Sequence, residues 1–136
     1  MTVTSFYPVL MSDDVAAATS FYREVVGFEP VFVSDWYVSL RLGAFELAIL
    51  ASDHETIPDG FRRPIEGGML LNLEVDDVDA VHERLAADGR VRIVQALRDE
   101  EFGQRHFIAA APGGVLLDVI QPIEPSAEFL AAYASD

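Results

Sequence analysis

Three histidines, 23 carboxylates and nine arginines are the groups on this 136-residue chain that could do chemistry, and there is no cysteine. The missing thiol removes disulfide frameworks, thiolate nucleophiles and cysteine–zinc sites together. No GxSxG elbow, P-loop, HExxH or dinucleotide fingerprint occurs, so what remains is an imidazole paired with a carboxylate for acid–base work, or a binding site. His54 lies in a Pro- and Gly-containing stretch and reads as solvated. His82 falls on a helical pattern beside its buried stripe and reads as a partly exposed helix residue. His106 sits in Gly103-Gln104-Arg105-His106-Phe107, where alternation puts Phe107, Ala109 and Ala111 on one strand face. His106, Ile108 and Ala110 take the other face. If Phe107 packs beneath a helix, His106 looks towards a ligand cavity; the alternative is a histidine hydrogen-bonded to a neighbouring strand.

The charge balance narrows the partners. A net charge of −14 repels phosphate backbones, which excludes nucleic acid. Every basic residue is Arg and the carboxylates are dispersed, with Asp99-Glu100-Glu101 the single run of three. The bland reading of this balance is solubility; the sharper one is attraction of cationic small molecules. No apolar run reaches the ~20 residues of a spanning helix, and Met1 to Thr4 lacks the features of a secretory signal. The expectation is a cytoplasmic protein with no membrane partner.

The elements that must position these groups follow from periodicity. Val3 to Met11 reads as a strand, and Ser12-Asp13-Asp14 caps a helix whose apolar stripe is Ala17, Phe21 and Val25, with Ala18 and Tyr22 alongside. Gly27 closes that helix. Pro30 to Ser34, Trp36 to Leu42 and Ala44 to Leu50 form an antiparallel meander, since the gaps at Asp35 and Gly43 are too short for crossover helices. Residues 51–67 read as a linker loop. The order then recurs. Met69 to Val75 is a strand, Asp76-Asp77 caps a helix with Val78, Val81 and Leu85 buried and Gly89 at its end, and three strands follow at Val91 to Leu97, Gln104 to Ala110 and Val115 to Gln121. A short helix over 126–134 ends the chain.

Asp13-Asp14-Val15 and Asp76-Asp77-Val78 mark an internal repeat, a βαβββ unit used twice. The fold class is therefore α+β, as one domain of two tandem modules over 3–51 and 68–121. Three stretches carry a family resemblance: Ser12-Asp13-Asp14 leading to Ser20-Phe21-Tyr22-Arg23-Glu24-Val25-Val26-Gly27-Phe28, then Leu73 to Val81, then Phe107 to Asp118. The chain resembles the vicinal oxygen chelate superfamily, which includes glyoxalase I, bleomycin-resistance proteins, fosfomycin-resistance enzymes and extradiol dioxygenases. The third stretch departs from the usual Asp-Pro-x-Gly turn, because Ala111 precedes Pro112. The resemblance implies mixed sheets curled around a shared cavity, often completed by a dimer partner.

It also implies where a metal would sit. Counting back from each capping pair, the first-strand ligand positions fall on Tyr7 and Leu70. The fourth-strand positions fall on Glu46, in Phe45-Glu46-Leu47, and on Asp118. Tyr is an uncommon ligand and Leu cannot be one, while two carboxylates without imidazole suit Zn²⁺, Ni²⁺ or Fe²⁺ poorly. The expectation is no metal and no cofactor, with Glu46 and Asp118 as weak candidates should a divalent ion bind after all. This places the chain nearest the metal-free, bleomycin-resistance-like branch.

Turning the same positions inward gives the expected pocket. Tyr7, Val9 and Met11 come from the first strand, Leu70, Asn72 and Glu74 from the fifth, and Leu116, Asp118 and Ile120 from the last. Trp36, Val38, Leu40 and Leu42 form the opposite stripe, so Tyr37, Ser39 and Arg41 join Glu46. The expected ligand-binding set is Tyr7, Tyr37, Arg41, Glu46, Asn72, Glu74, His106 and Asp118, with Arg41 pairing with Glu46 or Asp118. The expected function is sequestration of an amphipathic antibiotic or metabolite, cationic in the sharper reading. The alternative is a lyase, isomerase or dioxygenase using a metal, or acid–base chemistry through Glu46, Asp118 or His106. A homodimer is expected, because four-stranded halves leave open edges.

Overall fold

In the computed structural model, residues 1–133 are described, and they fall into two compact units divided between Gly67 and Gly68. Residue 134, the expected end of the last helix, lies outside the described residues. Each unit is a mixed four-stranded sheet with a helix packed on one face. In the first, β1 (Val9–Ser12), β2 (Glu29–Val33), β3 (Tyr37–Leu42) and β4 (Phe45–Ala51) assemble in the order β1-β4-β3-β2. β1 runs parallel to β4, and the other neighbours are antiparallel. The second unit repeats this with β5 (Leu70–Glu74), β6 (Ile93–Glu100), β7 (Gln104–Ala110) and β8 (Leu116–Pro122) in the order β5-β8-β7-β6. The parallel pair is β5 with β8, so both halves share one topology.

The helices begin where the capping residues require. Asp14 accepts from the Ala17 amide at 3.0 Å and Asp77 from the Ala80 amide at 3.1 Å, each satisfying an N–H that has no intrahelical partner. In unit 1, α1 (Val15–Phe21) continues into a π-turn, Tyr22–Val26, and ends at Gly27 with φ 102°. The Gly27 and Phe28 amides both donate to the Tyr22 carbonyl, at 3.0 and 2.9 Å. The buried face of α1 and its π-turn is Val15, Ala18, Tyr22 and Val25, and Val38, Leu40, Leu47 and Ile49 are the buried residues of the sheet. This corrects the expected stripe, since Ala17 is exposed. The cap at Asp14 sets the phase of the first turn, and it turns Val15 rather than Ala17 inward. In unit 2, α2 (Val78–Ala86) buries Val78 and Leu85 over Phe107, Ala109, Leu117 and Val119.

Several boundaries differ from expectation, among them β6, which runs from Ile93 to Glu100 where Val91 to Leu97 is expected, because the strand continues to the hairpin at Gly103. The first strand is shorter than Val3 to Met11: the ladder starts at Val9, directly after Pro8, which has no N–H to contribute. Gly89 does not cap α2; Ala87 does, in a right-handed conformation, and the chain turns two residues later. The 51–67 stretch is tied into unit 1, with the Ile65 amide donating to the Met11 carbonyl at 2.8 Å and Ile57 buried. Within it His54 stacks on Trp36, ring centroids 3.9 Å apart and planes 7° apart, instead of standing free in solvent. Apolar contact between two flat rings outweighs hydration of one imidazole edge. The last helix is α3 (Ala127–Tyr133). No helix among the described residues is long and apolar enough to cross a membrane.

Candidate functional site

Each sheet has one face under its helix and one face turned away, and the chemistry-bearing side chains lie on the second. Strand parity decides this in unit 1. Val38 and Leu40 are buried beneath α1, so Tyr37, Ser39 and Arg41 take the opposite face. Arg41 and Glu46 face each other across the β3–β4 ladder and form an ion pair at 3.8 Å, both well exposed. Glu46 also accepts from the Ser5 hydroxyl at 3.1 Å. Tyr37 is pushed above the ordinary phenol value by burial, then by the hydrogen-bonded Tyr7 phenol and the Glu46 charge. Tyr7, Tyr37, Arg41 and Glu46 thus form one cluster, with Tyr7 standing just before β1 rather than on it.

Unit 2 holds a different arrangement. Phe107 is fully buried and meets the His82 ring of α2 edge-on at 5.0 Å, while His106 takes the alternative reading, a histidine hydrogen-bonded to its neighbouring strands. His106 therefore occupies the opposite face, and it is 6% exposed. Its Nδ1 lies 2.7 Å from Asp118 Oδ1, and its Nε2 lies 2.7 Å from Glu100 Oε2. Asp118 is also 6% exposed. Glu100 sits on β6 nearer solvent, and its Oε2 accepts a second bond from Arg98 Nε at 2.8 Å. Asp118 pairs in the ladder with Asn72 of β5, and Glu74 stands level with Ile120, itself level with His106. Asn72 and Glu74 are exposed.

The electrostatics follow from these bonds. Burial disfavours the imidazolium, but its hydrogen bonds to Glu100 and Asp118 outweigh it, and His106 is raised above its ordinary value of 6.5. Glu100 is held below the usual carboxylate range, first by His106 and then by Arg98. Ionised carboxylates only accept, so an imidazole between two of them is favoured in the charged form that donates through both nitrogens.

Of the expected ligand-binding residues, Tyr7, Tyr37, Arg41 and Glu46 gather on unit 1, while Asn72, Glu74, His106 and Asp118 share a face of unit 2. Arg41 meets Glu46, and the partner of Asp118 is His106. The two fourth-strand carboxylates also stand at different ladder levels. Asp118 is level with Asn72, the third residue of β5, and the unit 1 counterpart of Asn72, 63 residues earlier, is Val9, which is level with Ala48, not Glu46. Glu100 escaped the sequence reading, although a six-residue spacing to His106 across Gly103 is a hairpin signal.

A divalent metal does not fit the residues present. Leu70 offers no donor, Tyr7 is a phenol, an uncommon ligand, and Asp118 is taken by His106. Glu100, His106 and Asp118 are strung in a line rather than converging, and no cluster of three or more metal-ligating side chains occurs among the described residues.

Comparison with known proteins agrees with the topology. The solved structure of lactoylglutathione lyase from Agrobacterium tumefaciens is similar with a TM-score of 0.70 at 22% identity, covering 89% of this chain and 96% of that one. A glyoxalase/bleomycin resistance protein/dioxygenase from Nocardioides gives 0.74 at 17% identity, covering 91% and 87%. The bleomycin-binding protein of Streptomyces verticillus, complexed with copper(II)-bleomycin, gives 0.59 at 26% identity, covering 88% and 96%. No match was found among curated protein sequences. Residues 5–119 match the family described as the Glyoxalase/Bleomycin resistance protein/Dioxygenase superfamily, so this chain, with its paired βαβββ units, belongs to that superfamily.

Proposed function

We propose that this protein binds a small amphipathic organic molecule, an antibiotic or a metabolite, without a metal. The observation that carries the reading is the donor set. Of the four positions at which the resemblance expects ligands, one is Leu70, one is Tyr7, and one is a carboxylate bonded to His106. Tyr7 and Tyr37 offer rigid contact area with a polar tip, and Asp118 beside Asn72 offers orientation, the usual mix of a ligand site. The similar Streptomyces verticillus structure, a bleomycin-binding protein, is consistent with a binding role. Self-association belongs to the same proposal, since edge strand β2 leaves Val31, Phe32 and Val33 more than half exposed. Sedimentation at micromolar concentration should show a dimer; a species of monomer mass alone counts against it.

The competing reading is acid–base catalysis, and the Asp118–His106–Glu100 array favours it, because such a chain can pass a proton from a buried carboxylate to solvent. Metal analysis of protein purified without chelator tests the binding reading directly. The expected result is no stoichiometric divalent ion and a melting temperature unmoved by EDTA. Tightly held metal at one equivalent would sink it.

A further inference from the structure

We propose that the cleft between the chain before β1 and the start of β4 is a subsite for an organic ammonium group, with Glu46 as its counter-ion and Phe6 and Phe45 as its walls. The proposal rests on the reading of unit 1 as ligand-binding, and it names the charged end of the ligand and where that end sits.

The cleft follows from one residue. Ala48 donates its amide to the Pro8 carbonyl at 3.1 Å, and the parallel ladder continued upstream would next carry a bond from residue 8 to the Glu46 carbonyl. Pro8 has no N–H with which to make it. The chain therefore peels away from β4. A space of about 450 Å³ opens between Thr4, Ser5 and Phe6 on one side and Ala44, Phe45 and Glu46 on the other. Its polar groups are richer in acceptors than in donors: the Glu46 carbonyl, the Glu46 carboxylate, and the lone pairs of the Thr4 and Ser5 hydroxyls. The Ser5 hydroxyl donates to Glu46 Oε2 at 3.1 Å. Glu46 Oε1 has Arg41 at 3.8 Å, beyond hydrogen-bond length, and the carboxylate side chain is 36% exposed.

Charge and shape then select the guest. Glu29 of β2, Arg41 of β3 and Glu46 of β4 stand level across three strands. Two carboxylates share one guanidinium, so the row keeps one negative charge unbalanced. An arriving ammonium takes Glu46, and Arg41 is left to Glu29. The net charge of −14 adds a field of the same sign. Phe6 is 91% and Phe45 74% exposed, and their rings offer apolar contact to the stem of the guest and attraction to its charge. An ammonium has three donors and no acceptor, which matches a cleft rich in acceptors.

The test titrates ¹⁵N-labelled protein, at neutral pH and low salt, with benzylammonium and separately with benzyl alcohol, its uncharged counterpart. Backbone amides of Ser5, Phe45 and Glu46 report on the cleft, and those of Tyr37 and Ser39 on the rest of the face. Benzylammonium should shift the cleft amides and bind about tenfold tighter than benzyl alcohol. In E46Q that preference should fall to about twofold or less. R41A should tighten benzylammonium by about threefold, and F45A should weaken both probes by about threefold. R41A and F45A carry the test if E46Q fails to fold. Equal affinity for the two probes in native protein overturns the proposal while the binding reading stands. So does a preference that survives E46Q, a loss of benzylammonium affinity in R41A, or affinities unmoved in F45A, which would mean a carboxylate acting alone on open surface. Shifts confined to Tyr37 and Ser39 put the ligand elsewhere on the face and overturn it equally. If neither probe moves any of the five amides, the reading of unit 1 as ligand-binding falls, and the subsite with it.

Discussion

The two sheets have the same strand order and the same parallel pair, yet they treat charge in opposite ways. On unit 1 the Arg41–Glu46 pair is exposed and 3.8 Å long, with side chains free to exchange partners with solvent. On unit 2 the Asp118–His106 pair is 2.7 Å long and both groups are more than nine-tenths buried. A shared topology therefore carries one adaptable electrostatic element and one preset one. The difference lies in depth: an exposed pair is screened and contributes little, whereas a buried one must be complete to be tolerated.

The largest expected effect follows from breaking the preset element. His106→Ala strands Asp118 without its cation, and urea unfolding should show a loss of about 3 kcal/mol, the low end for orphaning a buried charge. A loss below about 1 kcal/mol would mean that Asp118 finds another partner or protonates at little cost. Next in size are the glycines at the two hairpins beside the pairs. Gly103 has φ 109°, and a Cβ there would lie 2.9 Å from the Ile123 carbonyl oxygen, whereas Gly43 has φ 61° and open space around it. Gly103→Ala should cost about 2 kcal/mol and Gly43→Ala about 1 kcal/mol, since only the first adds a collision with backbone to the left-handed strain. Equal melting temperatures for the two variants would remove that distinction.

A smaller effect should appear as pH dependence. His106 is raised in the folded state, so its contribution is complete below the unfolded value of 6.5 and is lost as pH rises through the folded value. Glu100 is lowered, so its contribution is present above the unfolded value of 4.5 and is lost as pH falls through the folded one. Stability from this pair should therefore be greatest between these unfolded values, and the alkaline decline should vanish in H106Q. A decline that persists in the variant would assign it to another group. The smallest effect belongs to unit 1: Arg41→Ala should stay within about 0.5 kcal/mol of native in the same unfolding measurement.

Legibility in sequence divides along the same line. Capping pairs, apolar alternation and the repeat spacing announced both βαβββ units, because these are local signals a few residues long. The side of His106 was readable from Phe107 for the same reason. The partner of His106 was not, because Glu100 looks like one member of a solvated acidic run until strand register is known. The register from Arg98 to Glu100 is regular across Gly103, and the irregularities in β6 lie before it, so what hid the pair was reading the strand as ending at Leu97. Arg41 with Glu46 was easier, since a regular hairpin across Gly43 fixes that pairing by counting. The α1 stripe was misphased by a cap whose first turn sets which residue faces in.

Those irregularities in β6 have a hereditary side. The ladder with β7 slips by one residue between Ile93 and Gln95, and by one more between Gln95 and Arg98. Both slips lie before Arg98, and from Arg98 to Glu100 the strand pairs with His106 to Gln104 without interruption. Loss of the two extra residues would shorten the strand and still leave Arg98 opposite His106 and Glu100 opposite Gln104. The bulges therefore confine changes of length to the stretch from Ile93 to Leu97, which carries no charge. Descendants of the same fold could gain or lose residues there and still inherit the charges beside the imidazole intact.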